Sequence, residues 1–157
     1  YYIKRVDNKE IKISQNVNIQ IKKELKYKLD KFATYQKFSK NFILSKKKLV
    51  KIISNLKKDK KTLIGYGATA KATTVLNFCN IDNEMIDFFI DTTPEKINKF
   101  MPGKKIMIKK YTKSVYKNAD FFFLGAWNFK KEIFKKEKKF IKNGGKFIIP
   151  KDDVLIT

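Results

Sequence analysis

From about Asn18, apolar residues recur at three- and four-residue steps: Ile21, Leu25, Leu29 and Phe32, then Tyr35, Phe38, Phe42, Leu49, Ile52, Ile53 and Leu56. That period lines one face of a helix, so the stretch predicts one or two amphipathic helices, closed by the charged run KKDKK. After Lys61 the period changes, and short continuous apolar runs alternate with helical stretches. TLIGY predicts a strand and residues 69–79 its helix. MIDFFI (85–90) predicts a second strand ending at Asp91, and TPEKINKF a short helix with Pro94 in its first turn. A Pro102-Gly103 turn precedes a short strand, KIMI, that ends at Ile108. ADFFFLG predicts a further strand, and residues 129–141 an amphipathic helix on Phe129, Ile133, Phe134, Phe140 and Ile141. Asn143-Gly144-Gly145 stops that helix, and KFIIP predicts the last strand.

Continuous apolar strands separated by helices imply a parallel sheet covered on both faces. The expected fold is therefore α/β: a Rossmann-like, mostly parallel sheet with flanking helices, preceded by an amphipathic helical segment. Residues 1–16 read as the end of a strand, Tyr1-Tyr2-Ile3, and a polar linker belonging to something longer. Residues 17–59 read as a helical lead-in packed on the domain, and residues 60–157 as the Rossmann-like domain itself.

Composition narrows the chemistry. A chain of 157 residues suffices for one well-buried domain and not for two ordinary ones. No run approaches a membrane span and the N-terminus is no signal peptide, so a cytoplasmic protein is expected. Cys79 is the single cysteine and histidine is absent, which removes internal disulfides, cysteine metal clusters and the usual general base. The net charge of +22 is the footprint of a nucleic-acid binder. Yet Arg5 is the sole arginine, and the lysines are dispersed along the chain, which fits a solvated surface better than groove or base readout.

Three clusters bear on function. Gly65, Gly67 and Ala70 fit G-x-G-x-x-A at a strand-to-helix turn, where a phosphate can approach a helix N-terminus, and Lys71 follows one turn in. The same glycines also suit a turn that serves packing only. Asp91 ends the second strand 24 residues after Gly67, where a dinucleotide fold grips a ribose; a turn or helix-capping role is equally open. Lys96 lies just beyond. Trp127 and Asn128, in GAWNF, fall on the same sheet edge: Trp127 can stack on a base and Asn128 bond a heterocycle, or the pair can serve as core and cap. Walker loops, metal-ligand spacings and a partnered nucleophile are missing, and Cys79 reads as a small buried apolar residue.

GYGATAK…LNF, DTTPEK, MPGKKI, GAWNF..EI and GGKFIIP stand in order from about Lys60 to Pro150. The set resembles the C-terminal domain of the sugar C-methyltransferase family, S-adenosylmethionine-dependent enzymes acting on nucleotide-linked deoxysugars in surface-polysaccharide and related sugar modification. The resemblance implies an upstream zinc-binding module and a central methyltransferase domain holding S-adenosylmethionine. The present segment would help hold the nucleotide-sugar, carry no catalytic residue and be inactive alone. Gly65, Tyr66, Gly67, Ala68 and Lys71 would line the nucleotide-sugar site. Asp91, Lys96, Pro102 and Gly103 match the family's D-x-x-P-x-K and P-G positions, and Trp127 and Asn128 its W-N-F. The implied partners are that substrate and the upstream domain of the same chain, with no membrane and no nucleic acid. Ala72 departs from the glycine many members have after the lysine, and KDDVLIT lacks the proline expected after GGKFIIP. An NAD(P)-binding domain and a basic nucleic-acid-binding or protein-docking module are the alternative functions.

Overall fold

The computed structural model describes residues 3–151 and 155–157; Tyr1 and Tyr2, on which the expected strand end falls, lie outside them. The chain forms two compact units, one up to Lys40 and one from Asn41 onward. In the first, helix α1 (Gln15–Lys26) starts at Ser14, whose hydroxyl accepts the Asn16 N–H, and buries none of its residues. The amphipathic pattern breaks where Lys28 takes φ 53°, and a second helix, α2 (Phe32–Lys58), begins after it.

In the second unit the end of α2 carries Leu49 and Ile53 into the core. The strands are β1 (Leu63–Tyr66), β2 (Phe89–Asp91), β3 (Ile108–Lys110), β4 (Phe121–Leu124), β5 (Lys146–Ile149) and β6 (Leu155–Ile156). They form one sheet in the order β3-β2-β1-β4-β5-β6, parallel up to β5, with β6 antiparallel to β5. Helix α3 (Ala70–Cys79) links β1 to β2, and the chain returns from β3 to β4 on the other side of β1. This is the doubly wound arrangement expected, with its reversal point between β1 and β4.

Both faces are covered, and alternate residues of each strand divide between them. Leu63, Phe89, Phe123 and Ile148 join Leu49, Ile53, Ala72 and Leu76 on one side. Ile64, Ile90, Phe122, Leu124 and Phe147 join Ile133 and Phe140 on the other. Among the described residues no helix is long and apolar enough to cross a membrane.

Several elements differ from the pattern. MIDFFI is a strand only from Phe89 on. Asp82 builds a turn by accepting the Glu84 N–H on its side chain and the Ile86 N–H on its carbonyl, so Ile86 is buried without pairing. TPEKINKF keeps a single 3-10 turn, Pro94–Lys96, because Ile97 is extended and Asn98 takes φ 61°. The third strand begins at Ile108, where it was expected to end. The helix expected over 129–141 is a 3-10 turn (Trp127–Phe129) and two short helices, α4 (Lys130–Lys136) and α5 (Lys138–Lys142), interrupted at Glu137. Pairing at β6 had no counterpart in the apolar pattern.

Candidate substrate crevice

In a parallel sheet the strand carboxyl ends share one edge, and at the reversal point the loops after β1 and β4 meet there. The room that Gly65 and Gly67 leave is filled by protein. A side chain on Gly65 would be driven into the Phe89 ring of β2. Gly67 turns the chain with φ 84°, and a Cβ there would stand 2.6 Å from that of Ala126. These glycines bring β1 against β2 and the first loop against the second.

The amides of the turn are largely spent internally. Gly67 N–H donates to Ile90 O at 2.9 Å, and Thr69 N–H to Gly67 O at 3.0 Å. Ala68 N–H donates to Asp91 Oδ2 at 2.7 Å. Thr69 caps α3, its hydroxyl accepting the Ala72 N–H at 3.1 Å while donating to Gly125 O at 2.7 Å. What remains at the helix start is the first-turn pair of amides, Ala70 and Lys71, with the exposed Lys71 ammonium beside them.

Asp91 is 9% exposed and tied on both oxygens. Oδ1 accepts the Thr93 N–H at 2.8 Å, and the Lys96 ammonium stands 3.5 Å from Oδ2 while donating to Ala68 O at 2.9 Å. Burial pushes its carboxyl up, but hydrogen bonds from Thr93 and Ala68 and the Lys96 charge outweigh that and hold it below the ordinary range. Of the two roles open for Asp91, the turn role is the one these bonds display, with Lys96 as its partner.

Two hollows flank the loop after β4. A cleft of ≈ 340 Å³ is lined by Tyr66, Gly67, Asp91, Thr92, Thr93, Lys96 and Tyr111, with Phe129 and Lys136 across from them. A smaller hollow of ≈ 210 Å³ brings together Lys71, Trp127 and Asn128. The two adjoin, with Thr69, Ala126 and Phe129 in the walls of both, and the pair is the candidate crevice. Gly65 and Ala68 lie beneath it, buried. Pro102 and Gly103 are elsewhere. Pro102 O accepts from Asn77 Nδ2 at 2.9 Å in the last turn of α3, the far end of a ten-residue helix about 15 Å long. Among the described residues no group of three or more His, Cys, Asp or Glu is gathered to hold a metal.

The motif reading passed over Thr69, Tyr111, Lys136 and Glu137. Glu137 sits in K-K-E-K-K and reads as one more surface charge, yet it is 1% exposed. Its Oε1 accepts the hydroxyls of Tyr66 (2.9 Å) and Tyr111 (2.7 Å), and the Lys136 ammonium lies 3.6 Å from the centre of the Tyr111 ring. The available signal was spacing: Glu137 stands four residues after Ile133 and three before Phe140, on the helix's buried stripe.

Residues 1–151 match the family model described as the C-methyltransferase C-terminal domain. A curated relative, the C-methyltransferase NovU of Streptomyces niveus, is 34% identical over 116 residues, covering 74% of this chain and 28% of the relative. The chain thus spans little more than a quarter of the length of the curated protein it matches.

Proposed function

The chain belongs to the C-methyltransferase C-terminal domain family, and on that premise we propose that it is the substrate-holding part of a sugar methyltransferase. Its substrate is a nucleotide-linked deoxysugar, its methyl donor S-adenosylmethionine, and its setting the cytoplasmic modification of sugars, including those destined for surface polysaccharide. The crevice holds the nucleotide-sugar while another part of a longer protein holds the methyl donor.

The observation that carries this reading is the convergence of Lys71, the first turn of α3, Trp127 and Asn128 on a hollow that shares walls with a hydroxyl-lined cleft. Two first-turn amides and an ammonium suit a diphosphate, which gains from both the helix dipole and a point charge. An indole beside them suits a base, and the Tyr66, Thr92, Thr93 and Tyr111 side chains suit a sugar. The same crevice is a poor fit for S-adenosylmethionine. The carboxylate at the end of β2, where a nucleoside's ribose would be gripped, is committed to the turn. No methyl-transfer step is therefore assigned to these residues; their work is to bind and orient.

Trp127 is the single tryptophan, so its emission reports directly on the hollow. Titration with UDP, dTDP and their glucose conjugates is expected to change that emission and to release heat in a calorimeter, while uncharged nucleosides have little effect. No response to any diphosphate at millimolar concentration, or an equal response to the nucleosides, would overturn the proposal.

A further inference from the structure

Of the three residues in the walls of both hollows, Thr69 has its hydroxyl engaged with Gly125 O and the Ala72 N–H, and Ala126 offers a methyl. Phe129 offers a whole ring. It is 61% exposed, and among the described residues no other ring and no ammonium stacks on it. A ring left bare forfeits the stabilisation that burial would bring. From Phe129 the chain enters α4, and Glu132, Ile133 and Lys136 follow at three, four and seven residues. That spacing places the four on one helix face, and all four line the cleft. Ile133 is buried, and the Lys136 ammonium is turned onto the Tyr111 ring. Lys96, the cleft's other cation, is held by Asp91 and Ala68 O. Glu132 is exposed, and among the described residues its carboxylate makes neither an ion pair nor a hydrogen bond. The cleft wall thus carries a bare ring and, one turn on, an uncommitted carboxylate.

A pyranose has two kinds of surface, a face of C–H groups and an edge of hydroxyls. The electron-rich face of an aromatic ring attracts polarised C–H groups, and a carboxylate accepts hydroxyl protons on both oxygens. The same carboxylate repels a phosphate. We propose that Phe129 and Glu132 form the sugar subsite of the crevice, the ring as platform for a pyranose face and the carboxylate as acceptor for its hydroxyls. The inference rests on the nucleotide-sugar reading and assigns the sugar to the cleft, leaving the diphosphate to the hollow at Lys71. Phe129, in the walls of both, stands where the two parts of the ligand join.

Glu132 also sits in the first turn of α4, where a carboxylate suits the helix dipole, so the test reads affinity and melting temperature together. Calorimetry compares UDP with UDP-glucose, and dTDP with dTDP-glucose, on the chain and two variants. Glu132→Gln removes the charge and one acceptor oxygen at constant size, and Phe129→Leu removes the ring while keeping apolar bulk. Each is expected to weaken the sugar conjugates about tenfold while the bare diphosphates stay within about twofold. Both side chains are exposed, so the melting temperature should hold within about two degrees. Equal losses for both members of a pair, or no loss, in either variant would overturn the inference, whatever the melting temperature does. If the parent chain binds none of the four ligands, the nucleotide-sugar reading fails by itself. The subsite is then decided by saturation-transfer NMR with methyl glucoside and methyl rhamnoside. Transfer that each substitution abolishes supports it, and transfer that is absent, or that survives either substitution, overturns it.

Discussion

Asp91 Oδ2 accepts the Ala68 N–H at 2.7 Å, so the carboxylate that ends β2 closes the glycine turn that leaves β1. The relationship gives the crevice its shape, because the turn it braces carries Thr69, the cap of α3 and a wall of both hollows.

It also makes the fold acid-sensitive in a defined way. The folded carboxyl is held below its ordinary value of 3.8, so its contribution to stability is complete above that value and lost as the pH falls through the lower folded one. Asp91→Asn is expected to flatten the fall in melting temperature between about pH 5 and pH 2. Asp91→Ala at neutral pH should cost about 2 kcal/mol, since the buried Ala68 amide and the half-buried Thr93 amide lose a charged acceptor. Identical acid profiles for the parent and Asp91→Asn would show that the brace carries no linkage.

Gly65→Ala tests the reading of the glycines as packing devices. The new methyl meets the fully buried Phe89 ring, and overpacking of this kind costs about 1–3 kcal/mol. Adding Phe89→Leu should recover part of the loss, giving a double-mutant coupling above about 0.5 kcal/mol by urea denaturation. Strict additivity of the two substitutions would mean that the methyl is accommodated elsewhere.

The strands legible in the sequence were those whose continuous apolar runs are buried on both faces, as in TLIGY, FFFL and KFII. MIDFFI reads as a longer strand than the one that forms, because burial of Ile86 at the end of a turn leaves the same apolar trace as burial in a strand. The break at Glu137 was invisible because its cause is tertiary: Tyr66 and Tyr111 come from distant strands. The candidate site divides the same way. Glycine spacing located the turn, and GAWNF the loop that faces it. Whether Asp91 gripped a ligand or its own backbone depended on Ala68 and Lys96 meeting it in space. Pro102 and Gly103 share a motif order with the crevice and lie at the other end of α3.

Position along α3 therefore predicts two opposite phenotypes. Lys71→Ala removes an exposed charge beside the hollow and should weaken diphosphate binding about fivefold, near 1 kcal/mol, with no change in melting temperature. Gly103→Ala forces a side chain onto φ 73° and should lower the melting temperature while leaving diphosphate affinity intact. Calorimetric titration and thermal melts of both variants check the pair. Loss of affinity in Gly103→Ala without loss of stability would bring the Pro-Gly turn back into the binding site.

The lead-in yields a prediction that separates its two parts. Every residue of α1 escapes burial, and in α2 only Leu49 and Ile53, both beyond Lys40, are buried. Removing residues 1–40 therefore takes away no core side chain, and the melting temperature of the remainder should stay within a few degrees of the parent, about 1 kcal/mol or less. Removing residues 1–58 takes Leu49 and Ile53 from contact with Leu63, Ala72, Leu76 and Phe89. Each loss is comparable to a large-to-alanine truncation of about 2–5 kcal/mol, and together they rival the whole stability of an ordinary domain. The longer deletion should yield an aggregating or molten product, seen as lost near-ultraviolet dichroism and dye binding. Leu49→Ala with Ile53→Ala in the full chain should reproduce much of that loss. A cooperative melt from the product lacking residues 1–58, at the parent's temperature, would place the core wholly within the sheet and its remaining helices.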